Sequence, residues 1–275
     1  MTPRTRIEWT VDRETRFPFG RVSPDPARWH PIGFPPPWPD RPWIYGVMVA
    51  SANGVVAWRR RDDADDPVRA ILGGGDRPER IADRRHMRML RCFGDAAVGA
   101  QTVRDQPTLL LTPQEPGDEP VPELYRFRAE HGLSHHPRNI VYSLFGRLPP
   151  EHPIFTTDGL EPIVVTTDAG AGELARRGLD APRVARVVDY VREPRGLVRA
   201  HQRLGTDHGV RYLACEGGEI DEVFLTVTDV VVDDARHDGV LRIMDFEAEG
   251  AALVAEGQIA PDSGWRFQRW RFADR

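Results

Sequence analysis

The sequence contains no lysine: all 37 of its basic residues are arginine. That absence excludes Schiff-base chemistry and the phosphate chemistry of a P-loop, both of which need a lysine amine. Cysteine is almost as scarce. Cys92 and Cys215 lie far apart, form no C-x-x-C pair and follow no apolar signal segment, so they read as two small buried hydrophobes of a cytoplasmic protein, with a nucleophilic Cys215 as the alternative. No apolar run approaches the roughly 20 residues of a membrane-spanning helix, and membrane insertion is not expected. Acidic residues outnumber basic ones, 42 to 37, for a net charge of -5. Such a balance offers no long-range attraction to DNA or RNA, so no nucleic-acid partner is expected. G-x-G-x-x-G, G-x-x-x-x-G-K-[ST] and G-x-S-x-G are all missing, which leaves the common dinucleotide fingerprint, the P-loop and the hydrolase nucleophile elbow without support. The nine histidines include His135-His136 but no H-E-x-x-H. The pair reads as a solvated loop, no metal site is expected, and His86 reads as a surface or satisfied core residue.

What remains is ordinary globular composition, 40% apolar and 29% charged over 275 residues, enough for one large core or two modest ones. Residues 1–41 carry Pro35, Pro36, Pro37 and Pro39 with no sustained periodicity and read as an extended arm. Its Trp9, Phe17, Phe19, Trp29, Phe34 and Trp38 are too many large apolar groups for a solvated linker, so the arm is expected to wrap the body or a partner. Residues 42–275 form the body. Trp43 to Val49 reads as a strand leaving through Ser51-Ala52-Asn53-Gly54, and Arg59 to Gly75 as a charged, glycine-rich loop. Ala82, Met89, Leu90 and Phe93 then share one helical face, ringed by Arg84, Arg85, Arg88 and Arg91. A strand at Ala96–Gly99, a helix near Glu123–His131 and apolar runs at 140–142, 163–166, 184–188, 212–215 and 223–232 follow. Strands alternating with helices predict an α/β domain with a mostly parallel central sheet. Leu253–Ile259 and Trp265–Phe272 alternate across Pro261-Asp262-Ser263-Gly264 and read as a C-terminal antiparallel hairpin at the sheet edge.

Ligands of open α/β sheets bind beyond the carboxyl ends of the strands. Four strand exits therefore matter: Ser51-Ala52-Asn53-Gly54, Gly99-Ala100-Gln101-Thr102, Thr166-Thr167-Asp168 and Glu216-Gly217-Gly218. Small residues at such exits let main chain approach a phosphate or a ring.

The order of these segments resembles the reductase domain of the bifunctional riboflavin-biosynthesis deaminase/reductase family. Ser51-Ala52-Asn53-Gly54 resembles its S-L-D-G segment, Asp83-Arg84 through Leu90-Arg91 its DR…LR helix, and Asp95-Ala96-Ala97-Val98-Gly99-Ala100-Gln101-Thr102-Val103-Arg104 its D-A-V-L-V-G-A-G-T-V-R strand and turn. Pro162 to Thr167 is similar to the P-x-x-V-T-T strand, Glu216-Gly217-Gly218 to the E-G-G motif, and Asp221-Glu222-Val223 to the D-E-L strand. The resemblance implies a dihydrofolate-reductase-like α/β fold, a homodimer, and NADPH as hydride donor to a small-molecule substrate of the ribosylamino-pyrimidinone class. It implies that Gly99, Ala100, Thr102 and Val103 line pyrophosphate and nicotinamide above Glu216, Gly217 and Gly218, with Thr166 and Thr167 on the adenosine side. Ser51, Asn53, Arg91 and Asp105 fall on the substrate side. Arg147, Arg176 or Arg177 could meet the cofactor's 2′-phosphate, and the alternative for Arg91 is an ion pair with Asp95. Hydride transfer asks a protein mainly to hold two rings together in a dry cleft, so no strong acid–base signature is needed.

Departures from the pattern touch substrate and cofactor. The D-D-P-x-L-T-x-R segment appears as Asp105-Gln106-Pro107 without its arginine, the acid of S-L-D-G is Asn53, and Ile71 stands where the family has tryptophan. Only Glu219 and Ile220 separate E-G-G from the D-E-L strand, where the family has a helix. A substrate lacking phosphate, a dihydrofolate-type reductase, or a non-catalytic paralogue holding a nucleotide-like ligand or a partner stand as alternatives.

Overall fold

The computed structural model describes residues 8–12, 35–60, 62, 65–114, 120–179, 184–188, 196–215 and 220–272. In chain order they form strands β1 (Glu8–Asp12), β2 (Trp43–Ala50) and β3 (Val55–Ala57), helices α1 (Pro67–Leu72) and α2 (Pro78–Phe93), β4 (Asp95–Gly99), α3 (Ala100–Asp105) and α4 (Pro122–Glu130). Then come β5 (Asn139–Tyr142), α5 (Pro153–Thr156), β6 (Ile163–Thr166), α6 (Asp168–Arg176), β7 (Ala185–Val188), α7 (Gly196–Thr206) and β8 (Tyr212–Cys215). The chain closes with β9 (Glu222–Val227), β10 (Leu241–Arg242), β11 (Ala251–Gln258) and β12 (Arg266–Phe272). Two compact units result, one built from residues 1–34, 46–86 and 220–275, the other from 35–45 and 87–219.

In the second unit the strand order is β8-β4-β5-β6-β7, and every pair from β8 to β7 is parallel. Parallel strands covered on both faces need apolar side chains on both. Ala96–Val98, Ile140–Val141 and Ile163–Val165 are accordingly all buried. Ala97, Ile140, Val165 and Leu213 share one core cluster with Ala200 and Leu204 of α7. The amphipathic face expected of α2 is buried as its spacing requires, at Ala82, Met89, Leu90 and Phe93. Arg88 departs from the expected exposed ring: it is buried and its Nε donates to Pro113 O at 2.8 Å. The long side chain carries the buried guanidinium to a loop carbonyl that accepts from it. Both cysteines are free and buried, and burial pushes the Cys92 thiol up to about 12.

The first unit is antiparallel at its C-terminal end. β11 pairs with β12, β12 with β9, and β1 with β11. The hairpin forms as its alternation requires, but it is not the edge: β1 covers it. Tryptophans of the hairpin are satisfied within this unit. Trp265 is fully buried with its Nε1 donating to Asp229 at 3.0 Å, and Trp270 packs on Phe246. Their burial demand therefore gives no reason to expect a contact with a second subunit. Beside them the buried Arg269 pairs with the buried Glu222 and lies over the Phe224 ring. His86 packs edge-on against Phe224 and Phe267, and burial together with Arg269 holds its imidazole down at about 3.

One expected loop contains a helix. Asp66 caps α1 by accepting from the Val68 and Arg69 N–H groups, Pro67 occupies its first turn, and Ile71 is buried below it. Of the arm's aromatics, Trp38 stacks on Trp43 with Arg41 over its ring. Phe17, Phe19, Trp29 and Phe34 lie outside the described residues, as does the side chain of Trp9. No helix among the described residues is long and apolar enough to cross a membrane.

Candidate ligand-binding site

Strands β4 and β5 run in parallel register and end together, with Gly99 opposite Tyr142. Beyond that shared end the second unit holds a cavity of about 610 Å³ between Gly99, Ala100 and Arg104 on one side and Tyr142–Phe145 with Arg147 on the other. The volume lies in the range typical of small-molecule sites, and the place is where open parallel sheets bind ligands. Gly99 has ordinary extended backbone, φ -77, and a Cβ built there would meet no atom within 4 Å. Conformation does not require glycine at this position, so its effect is to leave the main chain open to the cavity.

The opposite wall, residues 143–147, is held from behind. Thr166 Oγ1 donates to Ser143 O at 2.6 Å and Thr167 Oγ1 donates to Leu144 O at 2.8 Å. Ser143 Oγ accepts from Gly146 N, and Thr167 Oγ1 also accepts from Gly170 N to cap α6. Gly146 has φ +65, and a Cβ there would stand 2.0 Å from Gly170 O. Only glycine permits both the left-handed backbone and that approach. The loop is thus pinned to the start of α6, and what it turns outward is Phe145, 61% exposed, and the exposed Arg147.

Among the described residues, the cavity lining carries two guanidinium groups and no carboxylate. Arg104 is oriented by donating to Arg147 O at 3.1 Å and to Gln101 Oε1 at 2.7 Å, while Gln101 donates to Asp105. Arg147 stands 6.0 Å from the Phe145 ring centroid. Arg176 and Arg177 both pair with Glu173, whose carboxyl is held below the usual range mainly by the Arg177 hydrogen bond. On the inner side, Tyr142 OH lies 3.1 Å from Nε2 of the buried His201. The arrangement presents two cations, an aromatic face and open main chain, a set that suits a ligand with a planar ring and an anionic group.

Of the residues singled out in the sequence, Gly99, Ala100 and Arg147 line this cavity and Thr102, Val103, Thr166 and Thr167 do not. Val103 is on the buried face of α3, and the hydroxyls of Thr166 and Thr167 are spent on the loop carbonyls behind the wall. Glu216, Gly217 and Gly218 lie outside the described residues. Asp105 is exposed at the end of α3, and Arg91 is half-buried in the last turn of α2. Asp95 is engaged by the backbone N–H, Nε and Nη2 of Arg138. Ser51 and Asn53 belong to the other unit, where Ser51 Oγ accepts from Val55 N and Asn53 bonds both backbone groups of Val232. Phe145 and Arg104 were not singled out in the sequence; the Gly146 turn directly after strand β5 is the signal that points to the loop bearing Phe145.

No protein-family model matches the chain, and no curated protein does. Solved structures match. RibD from Acinetobacter baumannii aligns over 86% of this chain and 59% of its own length, with a TM-score of 0.57 and 15% identity. A pyrimidine reductase-like protein from Corynebacterium diphtheriae aligns over 94% of this chain and 97% of its own, with a TM-score of 0.56 and 15% identity. The riboflavin biosynthesis reductase Rib7 of Saccharomyces cerevisiae covers 85% of this chain and 90% of its own, with a TM-score of 0.52 and 13% identity. The chain spans little more than half of the Acinetobacter protein and nearly all of the Corynebacterium one. Its parallel sheet with flanking helices and its C-terminal antiparallel pair are the dihydrofolate-reductase-like fold of the riboflavin-biosynthesis reductases.

Proposed function

We propose that the protein is an NADPH-dependent reductase that delivers hydride to a ribosylamino-pyrimidinone or a related small heterocycle. The observation that carries this reading is the cavity at the joined ends of β4 and β5, in a chain whose fold matches reductases over most of its length. A dinucleotide fits the groups present: the open main chain at Gly99 admits a phosphate or ring, Arg104 and Arg147 offset its negative charge, and Phe145 offers a ring face. When bound, NADPH would supply the hydride. The chain's own residues would bind and orient: Gly99 and Ala100 against the main body of the cofactor, Arg104 and Arg147 on its anionic groups, and Tyr142 at the inner wall, steadied by His201. Arg91 is the candidate for an anionic group of the substrate. Titration with NADPH, followed by nicotinamide fluorescence, is expected to saturate below millimolar concentration. No saturation by then would overturn the reading.

A second reading, a paralogue that keeps the nucleotide site without turnover, draws on the span after β8. In the sequence only Glu219 and Ile220 separate Glu216-Gly217-Gly218 from Asp221-Glu222, where the resemblance implies a helix. Saturable NADPH binding with no oxidation by any pyrimidinone would favour it.

A further inference from the structure

We propose that residues 131–137 form an acid-opened clasp, a loop that stays folded over Arg128 while His136 is uncharged and lifts away when His136 takes up a proton. The inference is independent of the cavity and of its ligand. It starts from the His135-His136 pair, which in the sequence has the look of a plain solvated loop and in the structure is packed on an aromatic ring. His135 lies flat on the Tyr125 ring of α4 with 4.5 Å between centroids, and His136 meets the same ring edge-on at 5.4 Å. The Tyr125 hydroxyl stands 3.3 Å from His136 Nδ1, and the two imidazoles are 4.5 Å apart.

The same loop supplies the acceptors of a buried cation. Arg128 Nε donates to Ser134 O at 2.7 Å and to His135 O at 3.1 Å, Nη2 donates to Ser134 Oγ, and Nη1 donates to Cys92 O. Ser134 Oγ in turn donates to His136 O at 2.6 Å. Every one of these acceptors is neutral, so together they satisfy the N–H groups of the guanidinium without offsetting its charge. The groups that bear on the clasp electrostatically are His135 and Arg128 on His136, Arg88 of α2 on Tyr125, and Asp95 of β4, Cys92 of α2 and Tyr45 of β2 on Arg128. Asp95, the carboxylate among them, is already engaged by Arg138. A proton on His136 therefore adds a positive charge close to a buried guanidinium, in a half-buried place where repulsion is screened less than on open surface. Both nitrogens of an imidazolium donate, so Nδ1 could no longer accept from the Tyr125 hydroxyl. Lifting the loop hydrates the new charge. Burial, His135 and Arg128 hold the His136 imidazole below the ordinary histidine range, so the folded loop favours its neutral form. The stability this gives is present above about 6.5, the unfolded value, and is lost as pH falls through the lower folded one.

The test is nitrogen-15 NMR of the full chain from pH 8 downwards. It follows the His136 ring nitrogens and the exchange of the Arg128 Nε–H with solvent, relative to an exposed arginine at the same pH. Protection of that N–H is expected to be level above about pH 7 and to fall by up to about tenfold per pH unit as His136 charges, while the amides of β5 keep theirs. His136→Gln retains hydrogen-bonding capacity but cannot charge, and in it the protection should stay level. His208→Gln alters another half-buried imidazole held low by burial but outside the clasp, and it should leave the fall unchanged. Should His136→Gln melt early at pH 8, the unaltered protein still decides, because the charging of His136 and the loss of Arg128 protection must share one midpoint. Protection that holds while His136 charges, a fall that persists in His136→Gln, separate midpoints, or a His136 that stays uncharged until the whole chain unfolds would each overturn the proposal.

Discussion

Replacing Gly146 by alanine perturbs the wall of the cavity at its most constrained point. Two costs add there. A left-handed backbone costs an alanine about 1–2 kcal/mol, and Gly146 has φ +65. The new Cβ would also stand 2.0 Å from Gly170 O, a main-chain atom that cannot rotate away. Relieving the contact requires moving the loop from α6, which stretches the bonds from Thr166 to Ser143 O and from Thr167 to Leu144 O, at about 1 kcal/mol each. The sum is about 3–4 kcal/mol, or a fall of roughly 10 °C in melting temperature for a chain of this size. Scanning calorimetry and urea unfolding read it. Gly99→Ala is the matched control: with φ -77 and no atom within 4 Å of the added methyl, it should change stability by less than about 0.5 kcal/mol and instead weaken NADPH binding by intruding on the cavity. If Gly146→Ala melted within a degree or two of the unaltered protein, the pinned-loop argument would be wrong.

Thr166→Val keeps the shape of the side chain but leaves Ser143 O without its buried donor, so unfolding should show a loss of about 1–3 kcal/mol. Glu222→Ala strands the buried guanidinium of Arg269 and should cost about 3–5 kcal/mol by urea unfolding. His86 has its pKa depressed in the folded state to about 3, so its neutral form is the one the fold favours. Stability from this group is present above its unfolded pKa, near 6.5, and is lost as pH falls towards 3, at up to about 1.4 kcal/mol per pH unit; His86→Phe should flatten that part of the stability–pH curve. Deleting residues 1–34 removes β1 from β11 and exposes the ladder of a hairpin strand, so sedimentation should detect increased self-association.

The parallel sheet was legible in the sequence because strands buried on both faces are written as short apolar runs, and helix α2 because its apolar residues recur at helical spacing. The hairpin was legible from its alternation. The edge was not: Glu8–Asp12 offers only Trp9 and Val11 as an alternating pair, and β1 is defined by its partner β11 rather than by its own residues. Helix α1 was missed although Asp66-Pro67 is a helix-start signal, since six residues give too little periodicity to stand out among charged neighbours. At the cavity, Gly99 and Ala100 could be read from their place after an apolar strand. The Thr166 and Thr167 hydroxyls could not, because whether a hydroxyl faces a ligand or a loop carbonyl depends on residues more than twenty positions away in the chain. Phe145 is conspicuous only once the fold shows it exposed at a rim.

The central claim is hydride transfer from NADPH, and isotope transfer measures it directly. NADPH deuterated at the transferring position of the nicotinamide, incubated with the protein and ribosylamino-pyrimidinones with and without a 5′-phosphate, should yield a reduced product that carries the deuterium when examined by mass spectrometry. NADPH that stays unoxidised with every pyrimidinone, or a reduced product without the label, would contradict the account.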